Sequence, residues 1–168
     1  MAEFLPAFDR MIRNEGGYKL TNVKDDRGSV TYAGIARKSW PSWQGWMFVD
    51  QNQVPPTSLV REFYRVNFWD KVRGDDLEHQ GTAESLFDFA VNAGASTAIK
   101  LAQIVAGVAP DGSVGSKTIS ALNALEVDYF RSHFALAKLA RYAQIVNKDR
   151  SQGRFLLGWV NRLLRESA

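Results

Sequence analysis

The chain has 168 residues, 45% of them hydrophobic and 12% aromatic, which is enough apolar material for one compact unit with a real core. It has no cysteine, which excludes disulfides and thiolate metal sites, and its two histidines, His79 and His133, stand far apart with no metal-ligand motif around them. A formal charge of +3, from 21 basic and 18 acidic residues, is interspersed and forms no Lys/Arg block, so nucleic acid is not the expected partner. Acid–base chemistry with no metal and no cofactor is the expectation.

Glu3, Asp9, Arg10 and Arg13 interrupt the apolar start of the chain. No secretory leader is therefore expected, and no stretch approaches the length of a membrane span. Synthesis in the cytoplasm without stable membrane insertion follows as an expectation.

In chain order, Phe4, Leu5, Phe8, Met11 and Ile12 recur at helical spacing from Glu3 to Glu15, and Gly16-Gly17 stops the pattern. Tyr18-Lys19-Leu20 and Val30-Thr31-Tyr32 flank the turn-rich Asp25-Asp26-Arg27-Gly28-Ser29, which predicts a small hairpin next to the first helix. Pro41 and Pro55-Pro56 bracket a loop region, and a helix is expected after Thr57, running through Phe63, Tyr64 and Phe68. Thr82 is read as the cap of a helix carrying Leu86, Phe87, Ala90 and Val91, and Ser96 as the cap of another that ends at Gly107. After a turn at Pro110-Asp111-Gly112 come a short helix around Ile119 and Leu122 and a long one through Phe130, Phe134, Ala137 and Ile145. The last helix is expected to place Phe155, Leu156, Trp159, Val160, Leu163 and Leu164 on one broad apolar face. The fold class is mainly α with a minor β-hairpin.

The stripe from Phe8 through Met11 and Ile12 leads to Glu15, so a carboxylate stands at the end of a buried helix face. Partial desolvation and the negative end of the helix dipole both favour the protonated acid there, as general-acid cleavage of a glycosidic bond requires. The competing reading is a solvated glutamate in a frayed last turn. Asp25 and Asp26 likewise have two readings, a second catalytic carboxylate or ordinary turn chemistry. Thr31 is either a hydroxyl that positions water or a β-branched strand residue.

The run Glu15-Gly16-Gly17-Tyr18, then Asp26-Arg27-Gly28-Ser29-Val30-Thr31-Tyr32-Ala33-Gly34-Ile35, resembles the signature of glycoside hydrolase family 108, the N-acetylmuramidases of phages and bacteria. Phe87-Asp88-Phe89-Ala90-Val91-Asn92-Ala93-Gly94 matches further along. Ala98, Leu101, Gln103, Gly107-Val108, Asp111-Gly112, Gly115 and Thr118 resemble the family's C-terminal predicted peptidoglycan-binding region, and Gly158-Trp159-Val160-Asn161-Arg162 fits its close. The sequence departs from the signature at Ser29, where the family has a second glycine, and in a longer spacer before the aspartate. The family pattern selects Asp26, whereas the Asp-to-Thr spacing of the more distantly similar phage lysozymes selects Asp25.

The resemblance implies a lysozyme-like helical fold, with a catalytic lobe over residues 1–93 and a helical peptidoglycan-binding-like region over 94–168 packed on it. It implies cleavage of the β-1,4 bond between N-acetylmuramic acid and N-acetylglucosamine in peptidoglycan glycan strands. Glu15 would be the acid, Asp26 or Asp25 the second carboxylate, and Thr31 the residue that positions water. Tyr18, Tyr32 and Asn92 are candidate substrate contacts, each with core packing as the alternative. Trp40, Trp43 and Trp46 are either sugar platforms or core. Asp111-Gly112 begins like a calcium loop, but no further acids follow at alternate positions, which favours a turn. Endolysin, prophage and secretion-activator roles all fit the resemblance, with release to the periplasmic wall through a holin or a secretion partner. The rivals are an inactive wall-binding or phage structural protein and a hydrolase of another amino-sugar polymer such as chitosan.

Overall fold

The computed structural model describes residues 1–22 and 30–167. Asp25 and Asp26 lie outside the described residues.

Helix α1 (Phe4–Asn14) buries Phe4, Ala7, Phe8, Met11 and Ile12 on one face, while Leu5 of the expected stripe is exposed. Its start is held from elsewhere in the chain: the Gln80 side chain accepts from the Glu3 N–H at 2.7 Å and donates to the Glu3 carbonyl at 3.0 Å. Its end is a Schellman motif. Gly17 N–H donates to the Ile12 carbonyl at 2.8 Å and Gly16 N–H to that of Arg13 at 3.1 Å, with both glycines at positive φ.

The expected hairpin forms from β1 (Leu20–Asn22) and β2 (Val30–Tyr32), and β3 (Ile35–Ala36) extends it to a three-stranded antiparallel sheet in the order β1-β2-β3. Leu20 pairs with Tyr32, and Tyr32 in turn with Ile35. The link between β2 and β3 is only Ala33-Gly34, with φ of 50° and 79°, the double positive φ of a type I′ turn. The hairpin strands were expected from the sequence, but strand β3 is too short to give a period.

The bracketed loop region contains a short helix, α2 (Trp46–Asp50), that the sequence did not announce. Helix α3 (Thr57–Tyr64) does not continue regularly through Phe68: the chain passes into a π-helical turn over Arg65–Trp69. The extra residue in that turn lets Phe68 and Trp69 both enter a core already containing Phe63 and Tyr64.

Helix α4 (Gln80–Ala93) is buried nearly all round, with Thr82, Ala83, Leu86, Phe87, Asp88, Phe89 and Ala90 inside. It packs on α1 at one side and on α5 (Ala95–Val105) and α7 (Val127–Lys148) at the other. Thr82 is not the cap, because α4 starts at Gln80, and its buried hydroxyl has no hydrogen-bond partner. Ser96 is not the cap either. The positive φ of Gly94 lets α5 begin at Ala95 directly after α4, so Gly94 caps it.

After α6 (Ser116–Asn123) and α7 comes α8 (Gly153–Ser167), whose Leu163 is buried and whose Leu156, Trp159 and Val160 are half-buried. Trp159 stacks on Tyr142 of α7 at 5.1 Å. Phe155 and Leu164 are exposed, so the inward stripe is narrower than the expected face. It follows the spacing i, i+3, i+4, i+7, which is what one packed neighbour covers.

The Asp111 turn is built around Gln103, which is 1% exposed. Gln103 Nε2 donates to Asp111 Oδ1, the Ser113 carbonyl and Thr118 Oγ1, and its Oε1 accepts from the Gly112 N–H at 2.9 Å. The Ser113 backbone N–H and then the Gln103 amide hold the Asp111 carboxyl below its ordinary range. Because the folded value is depressed, Asp111 contributes stability above the unfolded value of about 3.9, and that contribution is lost as pH falls through the folded value. Melts of wild type and Asp111→Asn should therefore differ near neutral pH and converge as pH falls through the folded value. Gln103→Leu, which leaves buried partners unpaired, should cost about 1–3 kcal/mol in denaturant melts.

Candidate active site

Glu15 is the C-cap residue of α1, where its N–H still donates to the Met11 carbonyl at 3.0 Å and the Schellman turn leads the chain away behind it. Its side chain, 23% exposed, faces the last helix. Arg162 of α8 donates through Nη2 to Glu15 Oε1 at 3.0 Å and to Asp88 Oδ2 at 3.3 Å. Asn14 Nδ2 donates to the other Asp88 oxygen at 3.4 Å. A carboxylate from α1, a carboxylate from α4 and a guanidinium from α8 thus form one cluster.

The floor of the cluster is the β2–β3 turn and Tyr64. The Tyr64 hydroxyl donates to the Ala33 carbonyl at 2.8 Å from a fully buried ring. Burial pushes the Tyr64 phenol well above its ordinary range, and the Glu15 charge adds to that while Arg162 opposes it. For Arg162 itself, burial disfavours the cation, but Asp88 and then Glu15 outweigh it, so the guanidinium is held more firmly protonated than usual.

Thr31 is half-buried on β2, paired with Thr21 and Ala36, and its carbonyl accepts from the Thr21 hydroxyl at 3.5 Å. Tyr32 points to the opposite face of the strand and packs in the core, stacked on Trp43 at 6.0 Å. Of its two readings the structure favours packing, and burial followed by the charge of Tyr18 raises its phenol. Tyr18 is exposed just beyond the Schellman turn. Asn92 is exposed one helical turn beyond Asp88 and on the same side of α4, so it is not a core amide. Trp46 is buried, its indole donating to the Trp40 carbonyl at 2.7 Å, while half-buried Trp40 and Trp43 line an open groove of about 310 Å³ with Glu62, Phe63 and Asn67. Among the described residues no group of three His, Asp or Glu is arranged to hold a metal, and no helix is long and apolar enough to cross a membrane.

Asp88, Arg162, Tyr64 and Gly34 are site residues that the sequence reading did not single out. Asp88 carried a signal, a lone charge inside the apolar run Leu86-Phe87-Asp88-Phe89-Ala90, which needs a buried partner. Nothing local marked Arg162 as that partner.

Helices with a short sheet at the end of α1, and a glutamate where α1 meets that sheet, define a lysozyme-like hydrolase fold. The glycosyl hydrolase 108 profile matches residues 8–94, and a predicted peptidoglycan domain matches residues 97–164. The chain belongs to the glycosyl hydrolase 108 family and is a glycoside hydrolase acting on peptidoglycan. Among solved structures it is similar to Brucella abortus SagA, at 28% identity and a TM-score of 0.75 over 98% of this chain and 91% of that one. No curated protein matches it.

Gly34 lies against the cluster: a Cβ there would meet the Tyr64 hydroxyl at 2.6 Å and Glu15 Cβ and Cγ at 3.3 Å. Gly107 also has positive φ but open space around it. Gly107→Ala should therefore show only the left-handed backbone cost of roughly 1–2 kcal/mol. Gly34→Ala should lose more stability than that and most of its wall lysis, because Tyr64 is pinned and Glu15 must move. Thermal melts and turbidity assays of the two variants check this.

Proposed function

We propose that the chain hydrolyses the β-1,4 bond between N-acetylmuramic acid and N-acetylglucosamine, with Glu15 as the proton donor. The observation that carries the reading is the placement of Glu15: a partly buried carboxyl at the junction of α1 and the sheet, fixed on one oxygen by Arg162. In the reaction the Glu15 proton passes to the leaving oxygen as the bond to the sugar carbon breaks. Water adds to that carbon, and its proton returns to the acid–base pair.

Asp26, with Asp25 as its rival, is the second carboxylate of this reading, and Thr31 the residue that orients water. Tyr18 and Asn92 are the exposed candidates for contact with the glycan strand. Residues 1–93 are the catalytic lobe, and 94–168 grip the strand. The enzyme meets its substrate in the periplasmic wall after release through a holin or a secretion partner.

Glu15→Gln keeps the shape and hydrogen bonding of the side chain but has no transferable proton. Its lysis of purified wall should fall by about 10²–10⁴-fold with a melt as cooperative as wild type. A Gln variant that lyses at the wild-type rate removes Glu15 from the reaction. Mass analysis of the fragments separates the muramidase bond from other amino-sugar cleavage, and unchanged wall with retained binding marks a binding protein.

For the aspartates, Asp26→Asn should lower turnover more than Asp25→Asn, since the family signature selects Asp26. Equal turnover in two well-folded single variants assigns the second carboxylate to neither.

A further inference from the structure

We propose that Arg162, supplied by the last helix, is a positioning residue for Glu15, so that cleavage by the N-terminal lobe depends on a side chain of the C-terminal region. The inference rests on the reading of Glu15 as the acid.

Glu15 closes α1 as its C-cap, where the helix gives its side chain no support and a three-bond side chain has many rotamers. Arg162 supplies that support. Its guanidinium is itself fixed by Asp88, which is 7% exposed and is gripped on its second oxygen by Asn14. The order of restraint runs from the buried α4 carboxylate to the guanidinium and then to Glu15 Oε1. A guanidinium N–H can only donate, so the oxygen it engages is the poorer site for a proton. Glu15 Oε2 has no hydrogen bond among the described residues. It is the oxygen that can carry the acid proton and present it to a glycosidic oxygen.

The same contact sets a charge balance. The groups that face Glu15 are Arg162 from α8, Asp88 from α4 and the neutral Tyr64 phenol from α3. Lys24, Asp25, Asp26 and Arg27 of the neighbouring hairpin lie outside the described residues. Removing the Arg162 charge leaves the Asp88 and Glu15 carboxyls without the guanidinium that holds both. A residue that only braces the fold would not alter this balance.

The test compares full-length wild type, Arg162→Lys, Arg162→Met and the double variant Arg162→Met/Asp88→Asn on soluble glycan strands from peptidoglycan, with Glu15→Gln as the reference. The double variant removes both charges and so avoids a lone buried carboxylate. Arg162→Met and the double variant should lose about 10²-fold in kcat, the size of effect a misplaced acid produces, with KM little changed. Arg162→Lys, which keeps the charge, should recover part of the lost kcat. Wild-type kcat in either cooperatively melting Met variant overturns the proposal. So does a loss of kcat that comes with an equal rise in KM, or that Arg162→Lys does not partly recover, which marks a purely structural role. If Glu15→Gln is inactive while Arg162→Met is active, only this inference falls; if Glu15→Gln is active, the acid assignment falls with it.

Discussion

The arrangement of the site depends on how two carboxylates from different helices are kept together away from bulk water. Glu15 and Asp88 would repel each other and lose hydration on approach, and the cation that pairs with both comes from α8. The single guanidinium of Arg162 offsets both costs at once. Deleting one member of such a buried cluster typically costs about 3–5 kcal/mol, and the lower end applies here because Glu15 and Arg162 are each about a quarter exposed. The cluster is therefore a constraint on the position of α8 as much as on the orientation of Glu15.

Helix α4 is the element around which this constraint works. It touches α1 on one side and α5 and α7 on the other, and of the seven side chains it buries Asp88 is the charged one. Its buried carboxylate is reached by Asn14 and Arg162. A second buried charge lies on the far side, where Lys138 of α7 stands over the Phe89 and Phe134 rings at 5.0 and 4.7 Å. The sheet is tied in separately. The Tyr64 hydroxyl takes the Ala33 carbonyl, and the Ala33-Gly34 turn lies directly under Glu15.

Local signals made much of this readable. The period of Phe8, Met11 and Ile12 and the glycine pair that follows specify both the buried face of α1 and the residue that ends it, because periodicity and positive φ are properties of adjacent residues. The same holds for the β1–β2 pairing around a turn-rich segment. What stayed illegible depends on distant partners. Arg162 stands far from Glu15 in the chain, and an arginine on an amphipathic helix looks the same whether it meets solvent or a carboxylate. The π turn at Arg65–Trp69 answers the crowding of four aromatic side chains in one core, which no single-helix period encodes. Thr82 and Ser96 resemble caps by residue type, yet Gln80 and Gly94 start those helices because α1 and α4 impose where the chain turns.

The division of labour between the two halves of the chain is accordingly less clean than the two family matches suggest. The matches meet close to Gly94, a sharp turn between α4 and α5 with no linker. The last helix is anchored by Trp159 on Tyr142 of α7 and by the buried Leu163, and from it Arg162 reaches Glu15 of the other half. Placement of Glu15 and the seating of the last helix are thus two aspects of one packing arrangement.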